Sequence, residues 1–343
     1  MRNILVTGGA GFIGSNYIKN DAVSSNHNLI CLDALTYAGN LYNLIDVKDK
    51  ITFIRGDICD EKLINSIFEE YDIDTVINFA AESHVDRSII EPHIFVKTNI
   101  MGVQTLLKSC RDNWCVNPTE KNCMDYKKGV KYLQISTDEV YGTLGKTGKF
   151  TEKTPIGPNS PYSSSKASAD LFVRAYYKTF GLPTLITRCS NNYGPNQYPE
   201  KLIPLTIMNA LSNKKIPIYG QGNQIRDWIF VKDHCLAIKS VLEKGSSGEV
   251  YNIGCENEWT NLSIVEFILK ELDRNPNLIE HVTDRPGHDI RYAIDNTKIK
   301  SNLGWEPKYQ FEKGIKETIN WYVENNEWIE KINNGSYRKL TRF

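Results

Sequence analysis

Four glycines fall within seven residues, Gly8-Gly9-Ala10-Gly11-Phe12-Ile13-Gly14, directly after the apolar run Ile4-Leu5-Val6. A strand that ends in glycines and passes at once into a helix leaves the first-turn N–H groups of that helix without intrahelical partners. Those groups and the helix dipole form a phosphate site, and the glycines let the backbone turn tightly and approach a pyrophosphate. The next apolar run, Leu29 to Leu32, ends in Asp33. A carboxylate there accepts hydrogen bonds from a ribose diol and repels a 2′-phosphate, so the pair of features points to NAD rather than NADP. A purely structural glycine turn is the bland alternative, and the strand, helix and acid around the loop argue against it.

The rest of the first half repeats the strand-helix alternation. Apolar, β-rich runs occur at Asn3–Thr7, Leu29–Asp33, Thr52–Arg55, Thr75–Phe79, Lys131–Ser136 and Thr184–Arg188. Helical patterns lie between them at Gly11–Ser24, Glu61–Glu70, Thr98–Asp112 and Pro161–Phe180. Strands apolar on both faces and separated by helices predict an α/β fold, a doubly wound parallel (Rossmann) sheet. After about Asn191 proline and glycine become frequent, and helical patterns return at Ile203–Ser212, His234–Lys244, Leu262–Leu272 and Glu312–Asn325. With 343 residues the chain exceeds what one core usually serves. The expectation is a cofactor domain over 1–189 with roughly 229–256, and a smaller α/β C-terminal lobe over 190–228 with 257–343. The polar stretch Arg111–Lys131 reads as a surface insertion.

Net charge is zero, which gives no general attraction for nucleic acid or anionic lipid. No apolar run is long enough to span a bilayer, and the first residues lack the pattern of a secretory signal. The eight cysteines form no C-x-x-C pair and, with six scattered histidines, no metal-ligand spacing. They read as reduced thiols in a cytoplasmic protein without a metal.

Two further segments carry chemistry. In Pro161-Tyr162-Ser163-Ser164-Ser165-Lys166 the proline marks a helix start, so Tyr162 and Lys166 lie one turn apart on one face. An ammonium beside a phenol favours the phenolate, and a positive nicotinamide adds to that. Such a tyrosine removes a hydroxyl proton while hydride leaves the same carbon. Ser136-Thr137-Asp138-Glu139 ends the fifth strand, at the edge where open α/β sheets bind ligands. A hydroxyl followed by two carboxylates there suits acid–base work on a polyol. Asp57-Ile58 follows the third strand; Asp57 reads as an adenine contact or, alone, as a helix cap ahead of Glu61. Ala80 and Ala81, after the fourth strand, leave room for a cofactor.

With these elements in place, the chain resembles the extended short-chain dehydrogenase/reductase family along nearly its whole length. Asn191-Asn192-Tyr193-Gly194-Pro195, Arg226-Asp227-Trp228 and Leu303-Gly304-Trp305-Glu306-Pro307 share in that resemblance. Within the family it is similar to nucleotide-sugar 4,6-dehydratases, with a thymidine diphosphate sugar favoured over a uridine one. Thr137-Asp138-Glu139, the stretch Ala80 to Ser88 and the stretch Arg285 to Asp295 carry this closer likeness. The resemblance implies Tyr162, assisted by Thr137, as base at the sugar 4-hydroxyl. It implies Glu139 as base at C5, Asp138 as acid to the leaving 6-hydroxyl, and Lys166 as partner of Tyr162 and of the nicotinamide ribose. Gly8, Gly11, Phe12, Ile13, Gly14, Asp33, Ala34, Leu35, Thr36, Asp57, Ile58, Ala80, Ala81, Thr98, Tyr162, Lys166 and Asn192 are the implied NAD contacts. Ser83, Thr137, Asn191, Lys201, Leu202, Pro217, Tyr219, Arg226, Asn261, Arg285 and His288 are the implied nucleotide-sugar contacts. Arg226 suits a diphosphate because guanidinium binds phosphate oxygens in pairs; its bland alternative is a surface ion pair with Asp227 or Asp233.

The family leaves other activities open: a UDP-glucose dehydratase, a 4-epimerase, a decarboxylase, or a GDP-mannose dehydratase that Asp33 disfavours. The acid pair argues against the epimerase. A dinucleotide-binding sensor without catalysis would predict loss of Tyr162, Lys166 or the acids, and all are present. The family also implies a homodimer, with the Thr98–Asp112 and Pro161–Phe180 helices pairing into a four-helix bundle.

Overall fold

The computed structural model describes residues 1–117, 124–284 and 288–343. Its strands are β1 (Asn3–Thr7), β2 (Asn28–Asp33), β3 (Ile51–Arg55), β4 (Thr75–Asn78), β5 (Lys131–Thr137), β6 (Thr184–Cys189), β7 (Asn191–Tyr193), β8 (Ile216–Tyr219), β9 (Ile225–Phe230), β10 (Val250–Ile253), β11 (Glu258–Thr260) and β12 (Ile279–Val282). The first six match the sequence reading to within a residue or two. A seven-stranded sheet runs in the order β10-β6-β5-β4-β1-β2-β3, and every neighbouring pair in it is parallel. From β1 the chain winds outward through β2 and β3, then returns to β4 and winds the other way. The crevice between the carboxyl ends of β1 and β4 is thus the place where such a fold binds its ligand.

The helices are α1 (Phe12–Ser24), α2 (Glu61–Tyr71), α3 (Val85–Ile90), α4 (Pro92–Phe95), α5 (Val103–Trp114), α6 (Pro161–Phe180), α7 (Leu202–Leu211), α8 (Val231–Lys244), α9 (Asn261–Glu271), α10 (Thr297–Leu303), α11 (Phe311–Glu324) and α12 (Asn326–Asn333). Strand residues alternate between two cores because successive side chains point to opposite faces. Ile4 and Val6 join Ile18 of α1 and Ile238 and Val241 of α8. Leu5 between them joins Ile64 of α2, Leu106 of α5 and Val173 of α6 on the other side. The second half has its own core, in which Tyr193, Ile203, Trp228, Ile264, Phe311 and Trp328 meet. It also carries two small sheets, β11-β9-β7 and β12-β8.

Helix α6 shows why its ends were legible. Ser160 caps it, with Ser163 closing the reciprocal pair of a capping box, Pro161 takes the first turn, and Gly181 ends it at φ 70°. The helix expected over Thr98–Asp112 is different in kind. It opens with a π-helical stretch, Val96–Gly102, before α5. That wider turn carries the buried Asn99, whose amide bonds Glu82 N and O and Ser165 Oγ at 2.8–3.0 Å. It thereby joins the segment after β4 to the Tyr162–Lys166 turn.

The stretch Arg111–Lys131 begins in α5 with the buried Trp114, whose indole N–H donates to Ile73 O at 2.6 Å, and is exposed at Val116, Met124, Lys127 and Lys128; residues 118–123 lie outside the described residues. Two expectations need correction. Asp60, not Asp57, caps α2, accepting from Leu63 N, while Asp57 accepts from Cys59 N. The cysteines are not all reduced. Cys31, Cys59, Cys110, Cys189, Cys235 and Cys255 are free, but Cys115 is disulfide-bonded. Among the described residues no group of three potential ligands surrounds a metal position, and no helix is long and apolar enough to cross a membrane.

Candidate active site

A cleft of about 340 Å³ opens at the carboxyl ends of the central strands. One wall is the glycine loop. Gly8 has φ +67°, and a Cβ added there would lie 2.6 Å from Ala80 N. A Cβ on Gly14 would lie 2.5 Å from Gly8 O. Both positions exclude any larger residue, which keeps the loop flat against the mouth of the cleft. Helix α1 begins at Phe12 with Gly11 as its N-cap, so the first-turn N–H groups face the cleft without a side-chain cap. Phe12, Ile13, Ala34, Thr36, Asp57, Ile58, Ala80, Ala81, Thr98 and Asn192 all line the same cleft.

Asp33 sits at the end of β2 and is 8% exposed. Its two oxygens accept from Ala10 N at 2.9 Å and Leu35 N at 2.8 Å. Burial raises its pKa, and those two backbone bonds oppose the rise. Each oxygen keeps a lone pair for a ribose hydroxyl. Leu35 is the implied cofactor residue that does not line the cleft; it adopts φ 52° and packs toward the core. These residues fit a dinucleotide: a backbone cradle for phosphate, a carboxylate for the diol, and small residues where the chain must come close.

The far end of the cleft gathers Thr137, Asp138, Glu139, Tyr162 and Lys166. Strand β5 delivers Thr137, whose hydroxyl caps the short turn Asp138–Tyr141 by accepting from Glu139 N at 3.3 Å. Asp138 is 1% exposed. Burial first, then Glu139 and Asp227, push its pKa well up, against the weaker pull of Arg226 and Thr137. Its Oδ2 has no hydrogen-bond partner among the described residues. A carboxyl so placed is pushed toward its neutral form. Helix α6 brings Tyr162 and Lys166 in from the other side. Any pull of Lys166 on the Tyr162 phenol is outweighed in this geometry. Burial, Glu139, Cys189 and Asp138 push the phenol well above its ordinary value. The Lys166 ammonium instead donates to Ile135 O at 2.7 Å, and burial pulls its own pKa down.

Of the implied sugar contacts, Ser83, Asn191 and Lys201 line the cleft with Thr137. Lys201 Nζ donates to Ser83 O at 3.0 Å, bridging the two halves. Leu202 starts α7 and packs in the second-half cores. Pro217 and Tyr219 lie on β8, and Tyr219 donates to Asp86 at 3.1 Å while its ring meets His288 edge-on. His288 also pairs with Asp284 at 2.6 Å. Asn261 opens α9, its N–H donating to Gln224 O. None of these last residues, nor Arg226, lines the cleft itself. Arg226 is not the surface ion pair of the bland alternative. It is 5% exposed, donates to Ile225 O and Asp289 O, and lies 4.2 Å over the Tyr292 ring. Arg285 falls outside the described residues.

The sequence reading passed over a second polar cluster in the cleft. Tyr37 donates to Glu200 Oε1 at 2.9 Å, Arg87 pairs with Glu82 at 3.2 Å, and His84 lies 3.8 Å from Glu200. Glu82 and His84 stood inside a quoted motif; Tyr37 and Glu200 carried no spacing signal. Asp170 was also missed, although it follows Lys166 by one turn on the same face of α6. It is buried and binds Arg188 Nε at 2.8 Å. His234 lies behind the cleft with Nδ1 2.7 Å from Asn192 Oδ1.

The comparisons agree with this geometry. The family model described as GDP-mannose 4,6 dehydratase matches residues 5–318. A dTDP-glucose 4,6-dehydratase of Xanthomonas campestris is 51% identical, with 98% of each chain covered. The enzyme of that name from Neisseria meningitidis is 49% identical, again over 98% of each. A crystal structure of dTDP-glucose 4,6-dehydratase from Bacillus anthracis in complex with NAD has a TM-score of 0.87 at 49% identity, covering 97% of this chain and 100% of that one. A UDP-glucose 4-epimerase from Thermus thermophilus, also with NAD, superposes nearly as well, TM-score 0.85, at only 26% identity over 95% of this chain and 100% of that one. The shared fold thus spans epimerases and dehydratases, and the high identity over full length lies with the latter. The chain belongs to the extended short-chain dehydrogenase/reductase family, among its dTDP-glucose 4,6-dehydratases.

Proposed function

We infer that this chain is a lyase that converts dTDP-glucose to dTDP-4-keto-6-deoxyglucose and water, a step of deoxysugar synthesis. The observation that carries the reading is Asp138, a buried carboxyl held toward its neutral form beside Glu139 and opposite Tyr162. An epimerase needs no acid to expel a hydroxyl. A dehydratase does, together with a second group free to take a proton from the adjacent carbon.

NAD held along the glycine loop supplies a hydride acceptor for sugar C4 and returns the hydride to C6. The chain's own groups move the protons. Once a positive nicotinamide lies beside it, Tyr162 is favoured as the phenolate, which, with Thr137 beside the same oxygen, takes the proton of the 4-hydroxyl. The resulting 4-ketone acidifies C5–H, which Glu139 removes. Asp138 gives its proton to the 6-hydroxyl, the C6–O bond breaks and water leaves. Glu139 then returns a proton to C5, and the proton gained at Tyr162 replaces the one lost at Asp138 through solvent. Lys166 orients the nicotinamide ribose from its anchor on Ile135 O. Ser83, Asn191 and Lys201 hold the nucleotide from the cleft, Leu202, Pro217, Tyr219, Arg226, Asn261 and His288 extend that site beyond the cleft lining, and Arg285 is assigned from the resemblance alone. We divide the chain accordingly, with 1–189 and 229–256 serving NAD, and 190–228 and 257–343 serving the sugar nucleotide.

The assembly we propose is a homodimer. Ile90 of α3, Met101 of the π-helical stretch and Leu171 and Phe172 of α6 are exposed at 78%, 57%, 54% and 40%. These elements pack side by side, so a self-complementary four-helix face suits them. A cytoplasmic location suits the NAD requirement and the six free thiols among the described residues, while the disulfide at Cys115 gives it no support.

The deciding experiment incubates purified protein with dTDP-glucose and, separately, UDP-glucose, and identifies products by NMR. A 4-keto-6-deoxy sugar from dTDP-glucose without added reductant supports the reading. Epimerisation at C4, or turnover of UDP-glucose alone, replaces it.

A further inference from the structure

One contact chain runs from the glycine loop to the far end of the polypeptide. Ala10 sits inside that loop, and its peptide is held on both sides. Its N–H donates to Asp33 Oδ2 at 2.9 Å. Its carbonyl accepts from Asn40 N and from Asn43 Nδ2, each at 3.0 Å. Asn43 is 1% exposed, so its amide has no water to turn to and its orientation follows from its partners. Its Oδ1 accepts from Trp328 Nε1 of α12 at 2.8 Å and from Asn196 Nδ2 at 3.2 Å. Both donors fix Oδ1 on their side, which leaves the amide N–H groups aimed at Ala10.

A second link runs parallel to the first. Tyr337, just beyond α12, donates to Tyr37 O at 2.6 Å, and Tyr37 lines the cleft on the loop that follows Asp33. The segment from α12 onward therefore reaches the glycine loop through Asn43 and touches the loop after Asp33 directly. Trp328 itself is packed in the second-half core with Tyr322 and Ile332. The grip comes from one half of the molecule and acts on the other.

We propose that Asn43, oriented by Trp328, is a positioning residue for NAD: it locks the Ala10 carbonyl, and through it α12 sets how long the cofactor stays bound. On the proposed function such a hold has a use, since a cofactor regenerated within each cycle need not be exchanged. With the lock released, the glycine loop samples shapes that do not cradle a pyrophosphate, and NAD leaves sooner. The proposal rests on the dinucleotide reading alone and not on the identity of the sugar. An NAD-release assay therefore decides it even if the sugar conversion fails.

The test starts from the holoprotein. Trp328→Phe keeps an aromatic ring in the core but has no N–H to give. Asn43→Asp still accepts from Trp328 and Asn196 but cannot donate to Ala10 O. The rate of NAD release into excess free buffer is measured for each, with dTDP affinity as the control. Release about tenfold faster in both variants, with dTDP affinity within twofold of native, supports the proposal; tenfold corresponds to about 1.4 kcal/mol, one hydrogen bond's worth. Adding Trp328→Phe to Asn43→Asp then gives no further acceleration. Native release rates in Trp328→Phe overturn the idea. So does an equal loss of NAD and dTDP binding, which marks a general loosening of the fold. If Asn43→Asp fails to fold, Trp328→Phe alone decides.

Discussion

His234 makes a sharp, quantitative test of how the cleft is built. It is fully buried on α8, and desolvation alone lowers its pKa to about 3. Asn192 Nδ2 donates to Ser190 O at 3.0 Å, which turns Asn192 Oδ1 toward the ring. The histidine is therefore neutral, with its proton on Nδ1 donated to Asn192, and Nε2 has no partner among the described residues. In the unfolded chain the same ring titrates near 6.5. Between pH 6.5 and about 3 the unfolded state binds a proton that the folded state refuses. The sign is a loss of stability as pH falls. The slope is about 1.4 kcal/mol per pH unit below 6.5, reaching about 5 kcal/mol at the lower limit. At pH 5 the cost is about 2 kcal/mol, a fall of about 3 °C in the thermal midpoint for a chain of this length.

Other groups titrate over the same range. The raised carboxyls Asp33, Asp138, Asp170 and Asp227 act with the opposite sign, stabilising the fold as pH drops. The comparison is thus with His234→Asn, whose amide still donates to Asn192 but does not titrate. Calorimetry of both proteins at pH 7, 6 and 5 should show native protein losing about 3 °C relative to the variant. A difference that stays constant with pH would show that His234 is charged or solvated in the fold, and the burial argument would fail.

Tyr162→Phe should lower turnover by about 10²- to 10⁴-fold while NAD still binds; stopped assays with bound-NAD quantification check both halves. Glu139→Gln should still oxidise C4 but block exchange of the C5 proton with deuterium oxide, followed by NMR; normal exchange would move that role to another group. Gly14→Ala should abolish NAD binding, since the added methyl meets Gly8 O at 2.5 Å, and isothermal titration reads this directly. Leu171→Asp with Phe172→Asp should convert the proposed dimer to monomer in analytical ultracentrifugation, and an unchanged mass would place the interface elsewhere.

The sheet was legible because its signals are local. Ile4, Leu5 and Val6 are apolar on both faces, and Pro161 with Ser160 and Gly181 punctuates α6. What escaped the reading depends on distance in sequence. Strand β10 has only four residues and pairs with β6 across some sixty positions of chain. Trp328 and Asn43 are 285 residues apart, and neither carries a motif. The Thr98 region reads as ordinary helix, and nothing local in its sequence announces the wider turn that carries the buried Asn99. In the cleft, the glycine loop, Asp33, Thr137–Glu139, Tyr162 and Lys166 converge as their motifs imply. Leu202, Pro217, Tyr219, Arg226, Asn261 and His288 stand behind or beyond it, because the second half is assembled from β8, β9 and α9 by pairings that no sequence period announces. The balance at Tyr162 was not legible either, since burial and the neighbouring acids outweigh any pull from Lys166. A helix repeat places two side chains one turn apart, but it does not say that the lysine will find a carbonyl first.

Two aspartates show why motif and environment must be read together. Asp33 and Asp138 each end or follow a central strand, each is buried, and burial raises the pKa of each. Their hydrogen bonds separate them. Asp33 accepts two short backbone N–H bonds, one on each oxygen, which hold it toward the charged form. That suits an acceptor for a ribose diol. Asp138 has only the long 3.3 Å contact with the Thr137 hydroxyl on one oxygen, an orphaned second oxygen, and two acids acting on it. Its surroundings favour the protonated form more strongly than those of Asp33 do. A dinucleotide site with only the first kind of aspartate can oxidise a sugar and reduce it again. On the proposed mechanism, the second kind, set beside Glu139, adds the ability to expel water between those two events. Replacing Asp138 by Asn should therefore leave oxidation at C4 and exchange at C5 in place and stop product formation. If it also stopped C5 exchange, the acid would act earlier than the elimination, and the division of labour between the two carboxyls would have to be reversed.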